Sequence, residues 1–273
     1  MLNVIQADSN DVPAADRGLA YGDGLFETIR MRGRQAVLRS LHLDRMVADA
    51  GRLAIPVHRD QLDAEVERAG IIHGDAYGAS DWVLKLILTR GSGGRGYRLP
   101  EKNCRPNLIV SVSAMPPFPD SRGVVADFSQ FPLTVNPQLA GIKTLNRLEQ
   151  VMASRDFTGR EFELIMRDAS GNLVEGTRTN LFVRHGNVWT TPPVSSLAVA
   201  GVMRKYVIDC LRETGSEVRE EAVPPSVVSR SGFRGLYLVN SVVGIVCVRR
   251  LAGVELPVDG GLETICDPLK TLE

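Results

Sequence analysis

Short apolar runs bounded by glycine, proline and polar turns dominate the chain, and they predict strands more often than helices. Val4–Ala7 (VIQA) is a short strand. LFETIRMRG at 25–33 followed by QAVLRS at 35–40 reads as a hairpin with Gly33 in its turn. The period then changes. From about Leu41, the residues Leu43, Met46, Val47 and Ala50 recur at helical spacing, and Leu62, Val66 and Ala69 mark a second helix over 59–70. WVLKLILTR at 82–90 and NLIVSVSAM at 107–115 are buried-strand patterns, joined through RGSGGRGYRLP at 90–100, and they suit neighbours in one sheet.

AMPPFPDSRG at 114–123 breaks any regular element, because proline fixes its own backbone angle and removes a donor. It predicts an interdomain linker at 116–122, between a smaller domain at 1–115 and a larger one at 123–273. The second half opens with VVADFSQF as a strand. LNRLEQVMASRDF at 145–157 places Leu145, Leu148, Val151 and Met152 on one helical face. FELIMRDA and LVEG form a hairpin around residues 170–172, and NLFVRHGNVWTTP repeats that pattern with Gly186 and Asn187 at the turn. A helix is expected over 199–214, ended by Gly215, and GLYLVNSVVGIVCVRRL at 235–251 is a strand or strand pair kinked near Gly244. The expected fold class is mixed α/β of α+β type, with an antiparallel-rich sheet and packed helices in each domain. The strands and helices do not alternate regularly enough for a doubly wound sheet.

Composition narrows the function. Of 273 residues, 44% are hydrophobic and 23% charged, which is enough to build a core and argues against general disorder. Lys plus Arg and Asp plus Glu are 32 each, so no basic excess points to nucleic acid or to an anionic membrane, although a local basic site for a small anion is compatible with that balance. No apolar run approaches the length of a membrane span. MLNVIQADSN lacks a signal-peptide pattern, which predicts a cytoplasmic protein. Cys104, Cys210, Cys247 and Cys266 form no metal-site spacing, so no metal is expected, and Cys210 and Cys247 read as core residues in apolar runs.

Four stretches could carry chemistry, and each has an ordinary structural reading beside the functional one. RGSGGRGY fits neither a Walker loop nor a dinucleotide fingerprint. It is either a flexible hairpin loop or a loop presenting Arg90, Arg95 and Arg98 to an anion, for which the planar guanidinium fork suits a carboxylate. Lys143 in GIKTLNRLEQ is either a surface lysine or one able to form an imine with an aldehyde cofactor. Glu175 in VEGTRTNLF, followed by hydroxyls at Thr177 and Thr179, is either a turn residue or the partner of a protonated pyridine nitrogen. Gly201, Val202 and Met203 in VAGVMRK are either a helix start that merely tolerates a glycine or one whose free N–H groups hold a phosphate.

Taken together, DRGLAYGDGLFETIR, HLDRM, LTRGSGGRGYRLP, NPQLAGIKTLNRLEQV, VEGTRTNLF, VAGVMRKYV and VNSVVGIVCV resemble the fold-type IV pyridoxal-phosphate enzymes, the group of branched-chain and D-amino acid aminotransferases, over nearly the whole chain. RGSGGRGY with LAGIKTLNRLEQ is most similar to the lyase branch, which converts 4-amino-4-deoxychorismate to 4-aminobenzoate and pyruvate on the way to folate. A D-amino acid or branched-chain aminotransferase is the alternative. The resemblance implies pyridoxal 5'-phosphate as cofactor and a homodimer acting on a small carboxylated substrate. It implies Lys143 as the Schiff-base lysine and catalytic base. Arg45, the N–H groups of Val202 and Met203, and the Ser241 hydroxyl would hold the phosphate, and Glu175 would face the pyridine nitrogen. Phe26 falls where relatives often carry a tyrosine, and Arg95 and Tyr97 fall where relatives bind a substrate carboxylate. The chain departs from the pattern at Val242 and Val243, where relatives have more hydroxyls, and at Gly244 and Cys247, where a lyase tends to have prolines.

Overall fold

The computed structural model describes residues 2–9, 11–78, 80–100, 105–266 and 268. The chain divides into two compact units, and the division does not follow the sequence strictly. Among the described residues, one unit runs to Met115 and also takes in Lys143–Asn146; the other contains Pro116–Ile142 and the described residues after Asn146.

The first unit contains β1 (Asn3–Gln6), α1 (Arg17–Tyr21), β2 (Gly24–Arg32), β3 (Gln35–Ala36), α2 (Arg39–Arg52), α3 (Arg59–Tyr77), β4 (Asp81–Thr89) and β5 (Asn107–Ala114). Its strands form one sheet in the order β1-β5-β4-β2-β3, antiparallel except where β1 runs parallel to β5. The two-residue period of β2 puts Leu25, Glu27, Ile29 and Met31 on one face, all buried, and Phe26 and Thr28 on the other. Leu43, Met46 and Ala50 of α2 are buried at helical spacing.

Two element boundaries differ from the sequence reading. The second arm of the first hairpin stops at Ala36, because Leu38 adopts a left-handed conformation (φ 56°) and turns the chain into α2 at Arg39, not at Leu41. The next helix continues past residue 70 to Tyr77. Glycine weakens an isolated helix, yet Gly70 and Gly74 here let α3 lie against the β2–β3 turn. A β-carbon at Gly70 would come within 2.5 Å of the Arg34 carbonyl oxygen.

The second unit contains β6 (Val124–Phe128), α4 (Leu148–Ala153), β7 (Glu163–Arg167), β8 (Leu173–Gly176), β9 (Asn180–His185), β10 (Val188–Thr191), α5 (Val202–Glu213), β11 (Glu217–Glu220), β12 (Phe233–Asn240), β13 (Gly244–Leu251), β14 (Val254–Glu255) and α6 (Gly261–Ile265). Its sheet runs β11-β10-β9-β12-β13-β6-β7-β8, with β14 paired to β13. Ile165, Leu181, Val183, Leu236, Leu238 and Val248 anchor its core. The mixed α/β class with antiparallel-rich sheets is as expected. Gly244, at φ 84°, divides the long apolar run at 235–251 into the antiparallel pair β12 and β13.

Three expectations for this half are corrected. The helix predicted over 145–157 is only α4, followed by a single 3-10 turn at Ser154–Asp156. Leu145 is taken out of it by its amide bond to the Gly24 carbonyl (3.0 Å). The predicted apolar face is not the buried one: Leu148 is 72% and Val151 59% exposed, whereas Gln150 and Ala153 are buried. α5 begins at Val202, not at 199, because the preceding amides bond sideways: Val199 to Glu175 (3.2 Å), Ala200 to the Gly141 carbonyl (2.9 Å) and Gly201 to Asn180 (3.1 Å). Finally, Cys247 is buried but Cys210 is only partly so, and Cys104 lies outside the described residues. No helix among the described residues is long and apolar enough to cross a membrane.

Candidate active site

Lys143 lies in an irregular stretch that runs along β2. Its carbonyl accepts the Phe26 amide (3.1 Å), Thr144 bridges to Leu25, and its own amide donates to Asp49 Oδ2 (3.2 Å). Lys143 is half-buried, and its Nζ stands 4.1 Å from the centre of the Phe26 ring. Lys85 Nζ stands 5.4 Å from that ring. Both ammonium groups meet the electron-rich ring face.

On the other face of β2, Glu27 is buried among aliphatic residues, where an unpaired charge would be costly. Arg45 meets it with two parallel bonds, Nε to Oε1 at 2.7 Å and a terminal nitrogen to Oε2 at 2.6 Å. His42 Nδ1 lies 2.6 Å from Oε2. The helical spacing of HLDRM brings His42 and Arg45 to one side of α2. Burial pushes the Glu27 carboxyl up, but Arg45 and His42 outweigh it and bring it down to about 2. Burial lowers the His42 pKa, with Arg45 and Lys143 adding to the effect against Glu27. A neutral His42 facing a carboxylate must carry its proton on Nδ1, which leaves Nε2 as a buried acceptor without a hydrogen-bond partner among the described residues. Burial also raises the pKa of Asp49, opposed by the Lys143 amide, Arg45 and Arg52.

The glycine-rich loop separates its three arginines. Arg95 and Tyr97 are exposed, as is Arg98. Arg90 is not available to an anion: it is buried, pairs with both Asp23 oxygens (2.7 and 2.9 Å), and donates to the carbonyls of Leu53 and Ala54. The sequence expectation for Arg90 is therefore corrected. It ties the end of β4 to the segment before β2.

The remaining candidates belong to the second unit. Glu175, on β8, is 3% exposed and accepts the Val199 amide. Arg147 lies near enough to act on it electrostatically. Thr177 and Thr179 are taken up by Glu163, which accepts both hydroxyls (2.6 and 2.9 Å) as well as the amides of Thr177 and Arg178. Val202 and Met203 form the first turn of α5, whose N-cap Gly201 carries no side-chain cap bond. Ser241 stands in the β12–β13 turn, shaped by Asn240 Oδ1 accepting the amides of Val242 and Val243 (2.9 and 2.8 Å).

Sequence reasoning missed Glu27, His42, Asp49 and Arg17. The signal for Glu27 was available: it breaks an otherwise apolar alternate face of a strand, and a charge there requires a partner.

Residues 24–251 match the family described as Amino-transferase class IV, and the chain belongs to it: it is a fold-type IV pyridoxal-phosphate-dependent enzyme. Its cofactor is pyridoxal 5'-phosphate. It is 29% identical over 252 residues to the aminodeoxychorismate lyase of Vibrio harveyi, covering 91% of this chain and 90% of that one. It is 33% identical over 220 residues to a putative branched-chain-amino-acid aminotransferase of Methanocaldococcus jannaschii, covering 77% and 73%. The crystal structure of 4-amino-4-deoxychorismate lyase from Pseudomonas aeruginosa superimposes with a TM-score of 0.85 at 34% identity, covering 93% of each chain.

The residues present fit this cofactor. The uncapped first turn of α5 offers backbone donors of the kind that hold a phosphate, and Glu175 is a buried carboxylate of the kind that pairs with a pyridinium nitrogen.

Proposed function

We propose that this chain is a lyase converting 4-amino-4-deoxychorismate to 4-aminobenzoate and pyruvate, acting as a cytoplasmic homodimer in folate biosynthesis. The likeness to the Pseudomonas aeruginosa lyase, 34% identical over 93% of both chains, carries this reading. The loop sequence RGSGGRGY supports it.

The cofactor, when bound, supplies an electron sink for negative charge formed on the carbon beside the substrate amine. Lys143 would hold it covalently. Val202 and Met203 would donate backbone N–H groups to its phosphate, with Ser241 and Arg45 completing the cradle. Glu175 would keep the ring nitrogen protonated. With its amine free, Lys143 would take the proton from the carbon bearing the substrate amine and return one to the methylene of the departing enolpyruvate. The amino-substituted ring becomes aromatic as the ether bond breaks. Arg95 and Tyr97 would hold a substrate carboxylate, and Phe26 would line the substrate side of Lys143.

Amino transfer is the second reading. The family description and the Methanocaldococcus jannaschii relative favour it, and the fold serves both reactions. Purified holoenzyme given 4-amino-4-deoxychorismate alone should release pyruvate and 4-aminobenzoate in equal amounts with no keto-acid acceptor. Turnover only when D-alanine or a branched-chain amino acid is supplied with 2-oxoglutarate would replace the lyase by the aminotransferase.

A further inference from the structure

The glycine-rich loop is held from beneath by a residue that the proposed reaction does not use. Arg17 opens α1, and its side chain is only 5% exposed. Its Nε donates to Asp23 Oδ2 at 2.8 Å. One terminal nitrogen faces three carbonyl oxygens of the loop: Gly96 at 2.9 Å, and Gly93 and Arg98 at 3.3 Å each. The Arg17 amide donates to the Gly91 carbonyl (2.9 Å).

Glycine makes this convergence possible. Gly93, Gly94 and Gly96 have φ values of 124°, 75° and 60°, a region that costs other residues strain. A β-carbon at Gly94 would lie 2.5 Å from the Arg98 carbonyl oxygen and 3.3 Å from the Arg17 guanidinium. The carbonyls turn inward onto one buried cation, while the Arg95 and Tyr97 side chains are exposed. A second path reaches Tyr97 through aromatic contact. The Arg17 guanidinium lies 5.0 Å from the Tyr21 ring centre, and Tyr21 meets Tyr97 edge-on at 5.3 Å. Asp23, which fixes the other end of Arg17, is also the carboxylate gripped by Arg90 at the base of the loop.

We propose that Arg17 is a positioning residue for substrate recognition: it sets the conformation of residues 93–98 and so holds Arg95 and Tyr97 ready for the substrate carboxylate. This rests on the role given to Arg95 and Tyr97 above.

The test uses holoenzyme carrying Arg17→Lys, which can no longer fork between Asp23 and three carbonyls. Gly94→Ala disturbs the same arrangement from the exposed side without altering a buried charge, so the test survives if the first variant fails to fold. Trypsin cleavage after Arg95 and Arg98, followed by mass spectrometry without substrate, reports the loop. Steady-state kinetics with 4-amino-4-deoxychorismate, or with D-alanine if that is the substrate turned over, report recognition. Both variants should be cut about tenfold faster at these two sites and show KM raised about tenfold, with kcat within about threefold and cofactor absorbance unchanged, as expected when binding is lost and chemistry is kept. Unchanged cleavage in both variants overturns the inference. Faster cleavage with unchanged KM overturns it as well if Arg95→Met does raise KM. If Arg95→Met also leaves KM unchanged, the assigned role of the loop fails and takes the inference with it.

Discussion

Lys143 is attached to Phe26 at two points: its carbonyl accepts the Phe26 amide at 3.1 Å, and its ammonium group stands 4.1 Å from the Phe26 ring centre. Lys85 approaches the same ring at 5.4 Å, so it is the natural control for the anchor role proposed for Lys143. Borohydride reduction of the holoenzyme followed by peptide mapping should place the pyridoxyl mass on Lys143. Lys143→Ala should lose the label together with nearly all turnover, and Lys85→Ala should keep both. A label found on Lys85 would transfer the chemistry to that residue.

Arg45→Ala should destabilise the protein strongly. It leaves Glu27 buried without the guanidinium that pairs with both of its oxygens, and breaking a buried pair of this kind costs about 3–5 kcal/mol. The double change Arg45→Met with Glu27→Leu should recover much of that loss, because no orphaned charge remains. Urea denaturation of the cofactor-free proteins separates this effect from weaker phosphate binding. A single variant as stable as the parent would mean that Glu27 is not held as described.

Stability should fall as pH drops below about 6.5. His42 is held neutral in the fold by burial and by the positive charges of Arg45 and Lys143, against Glu27, whereas the unfolded chain takes up a proton near the ordinary histidine value. The unfolded state therefore binds more protons, and this contribution is complete above that pH. It is lost on acidification with a slope of up to about 1.4 kcal/mol per pH unit. Glu27, lowered to about 2 from 4.5, adds a loss of the same sign below pH 4.5. His42→Asn keeps a donor for Glu27 and does not titrate, so its denaturation midpoint should be flatter between pH 5 and 6.5, by about that slope. Parallel profiles for parent and variant would count against a neutral His42.

Gly201→Ala should weaken cofactor affinity by about tenfold, because an added β-carbon collides with Asn180 Oδ1 and shifts the first turn of α5, which is proposed to donate to the phosphate. Gly201 itself has φ −63°, so the effect is steric and not conformational strain. Adding Asn180→Ala removes the colliding atom and should restore part of the affinity, measured by fluorescence titration with pyridoxal 5'-phosphate. Equal affinity of parent and Gly201→Ala would detach this turn from the phosphate.

Strand positions were legible because their period is two and their faces are buried: β2, β4 and β5 fall close to the runs at 25–33, 82–90 and 107–115. Helix limits were less legible because tertiary contacts set them. Gly70 looked like an end and is a packing surface, while Leu145 looked helical and is drawn to Gly24. Among the site candidates, Lys143, Glu175 and Arg45 could be named from motifs, but what holds them could not. That Arg45 serves Glu27 depends on a strand and a helix separated by 18 positions, and that Arg90 is buried under Asp23 depends on 67. Local pattern carries no information about such partners.

The return of Lys143–Asn146 to the N-terminal unit bears on how the protein is made. A ribosome that has delivered everything up to Met115 has not yet delivered the segment that lies along β2 and brings Lys143 to Phe26. Split-protein fragments cut at the proline-rich linker would likewise leave the N-terminal piece without its lysine. Reassembly of such fragments would have to recover that short segment from the other half, which makes cofactor labelling of the mixture a direct measure of whether the halves have found each other.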